Sequence, residues 1–366
     1  MGKHTAQPPV LLLTGATGQI GRRVLLAWCR QGHDVVLALR RPAQQWPALR
    51  DMLAAAGAPV DRVTCVQTDL AQPDLGWGAT VPEALQRVTC VLHLGALWGW
   101  GLPWPLAERV NVQGALALHR WAERQCLPGA FVAVCGFMSQ VPGQLRRLGW
   151  VAADGAGREP VDVERAARRW GAYEVSKMLA YVALQAQAER SPVPVTWIHP
   201  ATVIADAQGP EVPSQSAVAG ILQALSRGLM AWVPGTAAHR VPWVTGDYVA
   251  RYTVALLQAP PGGLRDHVLM DPASPSLLAS LRVMARALGV RGPWGHLPLG
   301  LMSALLALPG VGRALGTSAE SLSFIVREVP DASPALAWGQ GKGVHHPDVI
   351  EALACTARAW AQRSTS

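Results

Sequence analysis

Absences set the first limits on this chain. No stretch of its 366 residues approaches the ~20 uncharged apolar residues that a membrane span needs. The nearest run, Leu297 to Leu308, is closed by Pro309 and Gly310. The segment before Val10 lacks the apolar core of a secretory leader, so a soluble, intracellular, cytoplasmic protein is expected. The six cysteines contain no C-x-x-C pair, which removes the usual zinc and disulfide signals. Cys65 and Cys90 fall in strand-like runs, where a thiol behaves as a small buried hydrophobe. The His345-His346 pair has no third ligand nearby in sequence and is expected to be exposed, so no metal site is expected. Repeats and low-complexity tracts are also missing. The net charge is +8, mostly from arginines spread along the chain, yet no nucleic-acid recognition motif accompanies it. Such a balance suits either a solvated surface or an anionic ligand, such as a phosphorylated cofactor or a thioester carrier.

What is present is a regular rhythm. Half the residues are apolar, enough for one large core and a smaller lobe. Short apolar runs at Val10–Leu13, Val35–Leu39, Val63–Val66, Val88–Leu94, Ala130–Val134 and Val195–Ile198 predict buried strands. Helical patterns lie between them, at Arg22–Arg30, Ala48–Ala56, Pro82–Arg87, Ala107–Arg124 and Ala172–Glu189. Continuous apolar strands alternating with helices predict an α/β fold, a doubly wound parallel sheet covered on both faces. After about Asp206 the rhythm breaks. Gly209–Ser214 reads as a loop. Helices are expected at Ala217–Arg227, Asp247–Leu257 and Ser276–Leu288, with short strands at Val241–Val244 and Leu264–Leu269. This predicts a dinucleotide-binding domain over 1–205, rejoined by 241–260. A discontinuous substrate lobe would take 206–240 and 261–366, with no clear pattern after Val329.

Thr14-Gly15-Ala16-Thr17-Gly18-Gln19-Ile20-Gly21 joins the first strand to the first helix. Glycines there allow a tight turn and close approach to a pyrophosphate, and the helix N-terminus offers N–H groups and a positive dipole end. The spacing is G-x-x-G-x-x-G. The second strand ends Leu39-Arg40-Arg41. An acid at that point would hold the ribose hydroxyl of NAD, whereas an arginine accommodates the extra phosphate of NADP. Arg40 therefore favours NADPH, with NAD as the lesser choice; the bland alternative is a solvated loop charge. Asp69 suits the adenine amine or, equally, a turn. Tyr173 and Lys177, four apart at the start of a helix, share one face. A nearby ammonium favours phenolate, which suits the tyrosine to acid–base work.

In combination these residues resemble an extended short-chain dehydrogenase/reductase, of the epimerase/dehydratase superfamily. The matching positions are Gly15, Gly18 and Gly21; Asp69-Leu70; Leu92-His93-Leu94-Gly95-Ala96; Asn111-Val112-Gln113-Gly114; Tyr173 with Lys177; and Ile198-His199-Pro200 with Val203. They span roughly Val10 to Leu257. Further segments, such as Val241-Pro242-Trp243 through Asp247-Tyr248, are similar to thioester (fatty-acyl) reductase domains. Hydroxysteroid dehydrogenase relatives are a comparable match. The resemblance implies a Rossmann domain and hydride transfer between nicotinamide and a carbonyl or carbinol carbon. Tyr173 would move the oxygen-bound proton. Lys177 would bind the nicotinamide ribose and lower the tyrosine pKa. Thr17, Gln19, Ile20 and Leu70 would join the cofactor contacts. Gly95 and Ala96 would let the backbone approach it, and Pro200 and Val203 would line the nicotinamide. Asn111 would order sheet and helix.

One departure stands out. The family carries a serine or threonine just after the fifth strand, where its hydroxyl polarises the substrate oxygen, but this chain has Gly136 there, preceded by Cys135. Ser139 is the nearest hydroxyl and the candidate substitute. His199 replaces the arginine usual before Pro200. The Trp98–Trp104 loop is expected to wall an apolar pocket or to pack as a surface loop. Leu297–Leu308 reads as a core helix, with a substrate lid or a membrane-touching helix as alternatives. Arg165, Arg168 and Arg169 suit either a carrier phosphate or a solvated helix face. The leading expectation is an NAD(P)H-dependent oxidoreductase acting on a bulky apolar carbonyl, alcohol or thioester, the last carrier-linked. A nucleotide-binding protein with little turnover and an epimerase or dehydratase are the alternatives. No nucleic-acid partner is expected, and the sequence leaves a homodimer open.

Overall fold

The computed structural model describes residues 8–364 apart from 79, 142, 145–161, 206–215, 261, 309 and 315–317. The first seven residues and the Gly209–Ser214 loop thus lie outside the described residues. The first six strands are β1 (Leu11–Thr14), β2 (Val35–Leu39), β3 (Val63–Gln67), β4 (Cys90–His93), β5 (Phe131–Val134) and β6 (Val195–Pro200). Shorter ones follow as β7 (Thr202–Ile204), β8 (Trp232–Pro234), β9 (Trp243–Thr245), β10 (Asp266–Leu269) and β11 (Gly295–Leu297). Seven form one sheet in the order β10-β6-β5-β4-β1-β2-β3. Every pairing from β6 to β3 is parallel. On the other edge Trp197 N–H binds Arg265 C=O and Ala201 N–H binds Leu269 C=O, so β10 advances in step with β6. Leu11, Leu12, Leu13 and Val35 to Leu37 are wholly buried, as the unbroken apolar runs require of strands covered on both faces.

The chain gathers into two compact units. One comprises 1–135, 172–198 and 250–267; the other comprises 136–171, 199–249 and 268–366. The second unit contains two small parallel pairs, β7 with β9 and β8 with β11. Its core joins Ile204, Leu222, Val233, Trp243, Leu281 and Leu353. Ser216 and Ser276 cap the helices Ala217–Ser226 and Leu277–Ala287 by accepting from N–H groups three residues on. The tail, patternless in sequence, holds the helix Val349–Ser364. Its Leu353 and Ala357 are fully buried in that core, and Thr356 Oγ1 accepts from Ala205 N–H at 3.1 Å. The expected core helix at Leu297–Leu308 is corrected. Its helical part is Leu299–Leu306, and only Leu306 is buried.

Further elements differ from their sequence patterns: the helix expected at Ala48–Ala56 begins at Pro42, and Glu83–Arg87 is a 3-10 turn. Ala107–Arg124 is not one regular helix; a π-helical turn, Glu108–Gln113, separates Trp104–Ala107 from Gly114–Arg124. Such turns widen the helix by one residue and re-aim its side chains. Arg22–Arg30 starts earlier, at Gln19, so the last glycine of the turn is already helical.

The order of the sheet reverses between β1 and β4, which opens a crevice at their carboxyl ends. A hydrogen-bonded latch closes the floor of that crevice. Gly95 N–H donates to Thr14 Oγ1 at 2.9 Å, and Thr14 Oγ1 lies 2.9 Å from His93 Nδ1. Thr14 either donates its proton to Nδ1 or accepts from an Nδ1–H, according to the tautomer of the ring. Burial, with a smaller push from the Lys177 ammonium, lowers the His93 pKa to about 3. The unfolded chain would take up a proton on this ring below about pH 6.5, and the native chain does not until about pH 3. Stability should therefore fall with acid across that window, by up to ~1.4 kcal/mol per pH unit. His93→Gln, which keeps an acceptor for Thr14, is expected to flatten this limb in urea denaturation at stepped pH. An unchanged slope would mean that another group titrates there.

Candidate active site

The turn after β1 is built for close approach. Gly15 has φ +72°, and a Cβ there would lie 2.7 Å from the Leu94 carbonyl carbon. A Cβ on Gly21 would collide with the Gly15 carbonyl oxygen, so helix and turn meet backbone to backbone. Gly95 is confined in the same way, with a Cβ placed 2.7 Å from Leu70 Cδ1. Gly18 N–H binds Gly15 C=O at 3.0 Å, and Gly18 then caps the helix Gln19–Arg30 without a side-chain oxygen. No acid lies in that helix's first turn. Its N–H groups therefore have no competing side-chain anion, and the dipole end is free to attract phosphate. Thr17 and Gly18 are exposed, Gln19 and Ile20 half-buried. This cradle fits the pyrophosphate of a dinucleotide.

Arg40 is exposed immediately beyond β2. Asp69 binds Ala71 N–H through Oδ1 at 3.0 Å, a turn contact. Ala96 is exposed beyond β4, beside buried Gly95.

Tyr173 and Lys177 share the half-buried face of the helix Ala172–Ala188. Lys177 Nζ donates to Val134 C=O at 2.6 Å, which fastens the helix to the end of β5. Buried Cys135 Sγ lies 3.4 Å from Lys177 C=O and reinforces this junction. Asn111, on the π turn, accepts from Leu97 N–H at 2.7 Å and donates to Ser176 Oγ at 2.9 Å. It thereby ties the chain after β4 to the same helix. Sequence reasoning did not anticipate the parts of Thr14 and Ser176. Nothing in their spacing marks them, since each bond crosses more than sixty residues. The Trp98 ring stands edge-on to Tyr173 at 6.5 Å and to Trp100 at 5.7 Å. So the loop after β4 supplies an aromatic wall beside the phenol.

The electrostatics differ from the expectation that Lys177 lowers the Tyr173 pKa. Burial pushes the phenol above its ordinary value, and Cys135 and Glu174 add to the rise. Burial likewise lowers Lys177. The physical cause is desolvation, which disfavours each charged form. A phenol in this state keeps its proton.

Gly136 takes φ +143° and ψ 152°, a region that only glycine enters readily. The missing hydroxyl is thus part of a backbone course that a serine would not follow. Ser139 is buried. Its Oγ donates to Gly136 C=O at 2.9 Å and lies 2.8 Å from His199 Nδ1. Nδ1 is also 3.4 Å from the same carbonyl, an arrangement that suits a protonated nitrogen. Pro200 ends β6, and Val203 lies in β7 opposite Val244. The Arg168 side chain is exposed and pairs with Glu164 at 3.5 Å. His345 is exposed as expected. His346 is not; its side chain is 7% exposed and lies 3.5 Å from Asp271.

Comparison with known proteins agrees with this geometry. The family model described as Male sterility protein, an NAD-binding family, matches residues 13–253. Among curated proteins, the L-2-aminoadipate reductase large subunit of Penicillium chrysogenum is 33% identical over 136 residues, 34% of this chain and 10% of that protein. The nonribosomal peptide synthetase atnA of Emericella nidulans is 28% identical over 163 residues, 37% of this chain and 2% of its own length. The chain thus spans a tenth or less of these curated relatives. Among solved structures, the terminal R domain of the myxalamid PKS-NRPS pathway superposes with a TM-score of 0.75 at 21% identity, covering 99% of this chain and 92% of that one. A thiolation-reductase di-domain from an archaeal nonribosomal peptide synthetase gives 0.72 at 16%, covering 98% and 76%. The Bordetella bronchiseptica enzyme WbmG in complex with NAD gives 0.62 at 15%, covering 99% and 96%. Fold, glycine cradle and family match converge, and the chain belongs to the male sterility protein family of NAD(P)-binding, extended short-chain dehydrogenase/reductase-like oxidoreductases.

Proposed function

We propose that the protein is an NADPH-dependent reductase of bulky apolar carbonyl compounds, with a carrier-linked acyl thioester as its favoured substrate class. The observation that carries this reading is Tyr173, held protonated one helical turn from Lys177 and walled by Trp98. The relatives named as aminoadipate reductase and thiolation-reductase support the thioester class. Dinucleotide binding is assigned to 1–205 with 241–260, and substrate selection to 206–240 and 261–366.

A bound nicotinamide supplies a hydride to the carbonyl carbon. Tyr173 gives its phenolic proton to the oxygen, so carbon and oxygen each gain one hydrogen. For a thioester, loss of the thiol from that carbon then leaves an aldehyde. Lys177, anchored on Val134, is assigned the nicotinamide ribose. Ser139 is assigned the polarising role that Gly136 cannot fill. His199 donates to Ser139 Oγ in this scheme, which leaves the serine proton to turn from the Gly136 carbonyl toward a substrate oxygen. A second reading, a nucleotide-binding protein with little turnover, draws its support from Gly136.

Three outcomes test the proposal. Tyr173→Phe is expected to abolish aldehyde or alcohol formation from an acyl thioester while the NADPH dissociation constant stays the same. Ser139→Ala should slow the wild-type rate about 10–1000-fold. A variant as fast as wild type would remove Ser139 from the mechanism, and a wild type inactive on every carbonyl tried would favour the second reading.

For cofactor choice, wild type should bind NADPH more tightly than NADH. Arg40→Ala should cost NADPH about 1.5–3 kcal/mol and NADH almost nothing. Titration of both cofactors against both proteins checks this, and equal affinities in wild type would refute the assignment.

A further inference from the structure

Nine large apolar side chains are conspicuously exposed among the described residues, and six of them fall in one part of the second unit. They are Leu229, Trp232, Trp294, Leu301, Leu305 and Leu308. Trp232 lies on β8 and is 51% exposed, with its ring over Gly295 of β11. Trp294, just before β11, is 71% exposed. Its N–H is bound to Ala231 C=O, so the two tryptophans project from neighbouring positions of one short ribbon. Arg282 holds this turn in place by donating to the carbonyls of Pro293 and Trp294, both at 3.0 Å. Pro298 then leads straight from the ribbon into the helix Leu299–Leu306. Ser303 is that helix's sole polar side chain. Leu301, Leu305 and Leu308 recur at the spacing of one helical face, and all three are exposed. A folded protein rarely leaves so much contiguous apolar surface to water without a use for it.

The charge on the same stretches has one sign. Neither 212–246 nor 272–319 contains a single Asp or Glu. Arg227, Arg282, Arg286 and Arg291 are exposed within them. This is the composition of a surface that lies on anionic lipid. Tryptophan settles at the headgroup boundary, leucine below it, and arginine pairs with lipid phosphate. A protein partner of fixed shape would ordinarily be met by charges of both signs, and these two stretches supply only positive ones. No helix among the described residues is long and apolar enough to cross a membrane, so the contact would be with one leaflet. We propose that the Trp232–Trp294 ribbon and the helix Leu299–Leu306 form a docking surface for an anionic bilayer. These residues lie in the stretches assigned to substrate selection, but none belongs to the cofactor cradle or to the Tyr173 face, so lipid binding and turnover are separate readouts.

Flotation of the full chain with lipid vesicles tests it. Phosphatidylcholine vesicles carrying ~30% phosphatidylglycerol should carry the protein upward, and pure phosphatidylcholine should bind at least about tenfold more weakly. Trp294→Ser combined with Leu305→Ser should weaken binding to the anionic vesicles about tenfold or more at an unchanged melting temperature. Arg227→Glu with Arg291→Glu should erase the preference for anionic lipid. The single variant Trp294→Ser, at a largely exposed position, serves if the double variant is less stable. Failure of wild type to float with anionic vesicles would overturn the proposal, as would variants that float as well as wild type. Two results would replace it. If wild type ignores vesicles but binds an acidic acyl carrier protein through Trp294, the partner is a protein. If it ignores vesicles and forms a dimer that Trp294→Ser dissociates, the surface is covered by a second copy.

Discussion

Thr14 has one hydroxyl and two obligations. It takes the amide proton of Gly95 and shares a hydrogen bond with His93 Nδ1, and both bonds leave β1 for the end of β4, where the strand order reverses. The crevice that holds the glycine cradle exists because those two strand ends diverge into different crossovers. Left to themselves, they would be joined only by backbone bonds lower in the sheet. The latch fixes them at the rim, and the tight packing of Gly15 on Leu94 and of Gly95 on Leu70 depends on that fixity. Burial keeps the imidazole neutral. A charged ring would donate its Nδ1–H to the hydroxyl, which fixes the direction of that bond.

The same desolvation shapes the chemistry one layer above. Tyr173 and Lys177 sit together without the mutual charging that an exposed pair would show. Each is pushed toward its neutral form, and the lysine spends a hydrogen bond on Val134 instead of on the phenol. The phenol accordingly rests protonated. Asn111 and Ser176 complete the frame, and the π turn brings Asn111 to bear on both Leu97 and the helix Ala172–Ala188.

Much of this was legible in the chain, and the reasons are local. The glycine turn is marked by residue type, the strands by unbroken apolar runs, and Tyr173 with Lys177 by a spacing that one helical turn dictates. These signals need no knowledge of the rest of the molecule. What stayed hidden depends on distant partners. The π turn arises inside a segment whose apolar pattern is that of an ordinary helix. Val349–Ser364 buries small residues, Ala352 and Ala357 beside Leu353, so its face carries little contrast. Leu299–Leu306 looks like core by composition, and only the fold shows that Leu306 alone of its residues is buried. Gly136 could be seen to lack a hydroxyl, but not to follow a course closed to serine.

The sheet also carries a history of its own making. β6 is the outermost strand built from the first part of the chain, and its free edge is satisfied by β10. Trp197 and Ala201 must wait for the carbonyls of Arg265 and Leu269, which leave the ribosome only after most of the second unit's early segments. During that interval the nascent sheet presents a straight, apolar, unpaired edge, the kind that invites pairing with another chain. The interval between β6 and β10 in sequence is therefore also a period of vulnerability in time. Slower translation through the β7–β9 region would lengthen it, even though the finished fold would be the same.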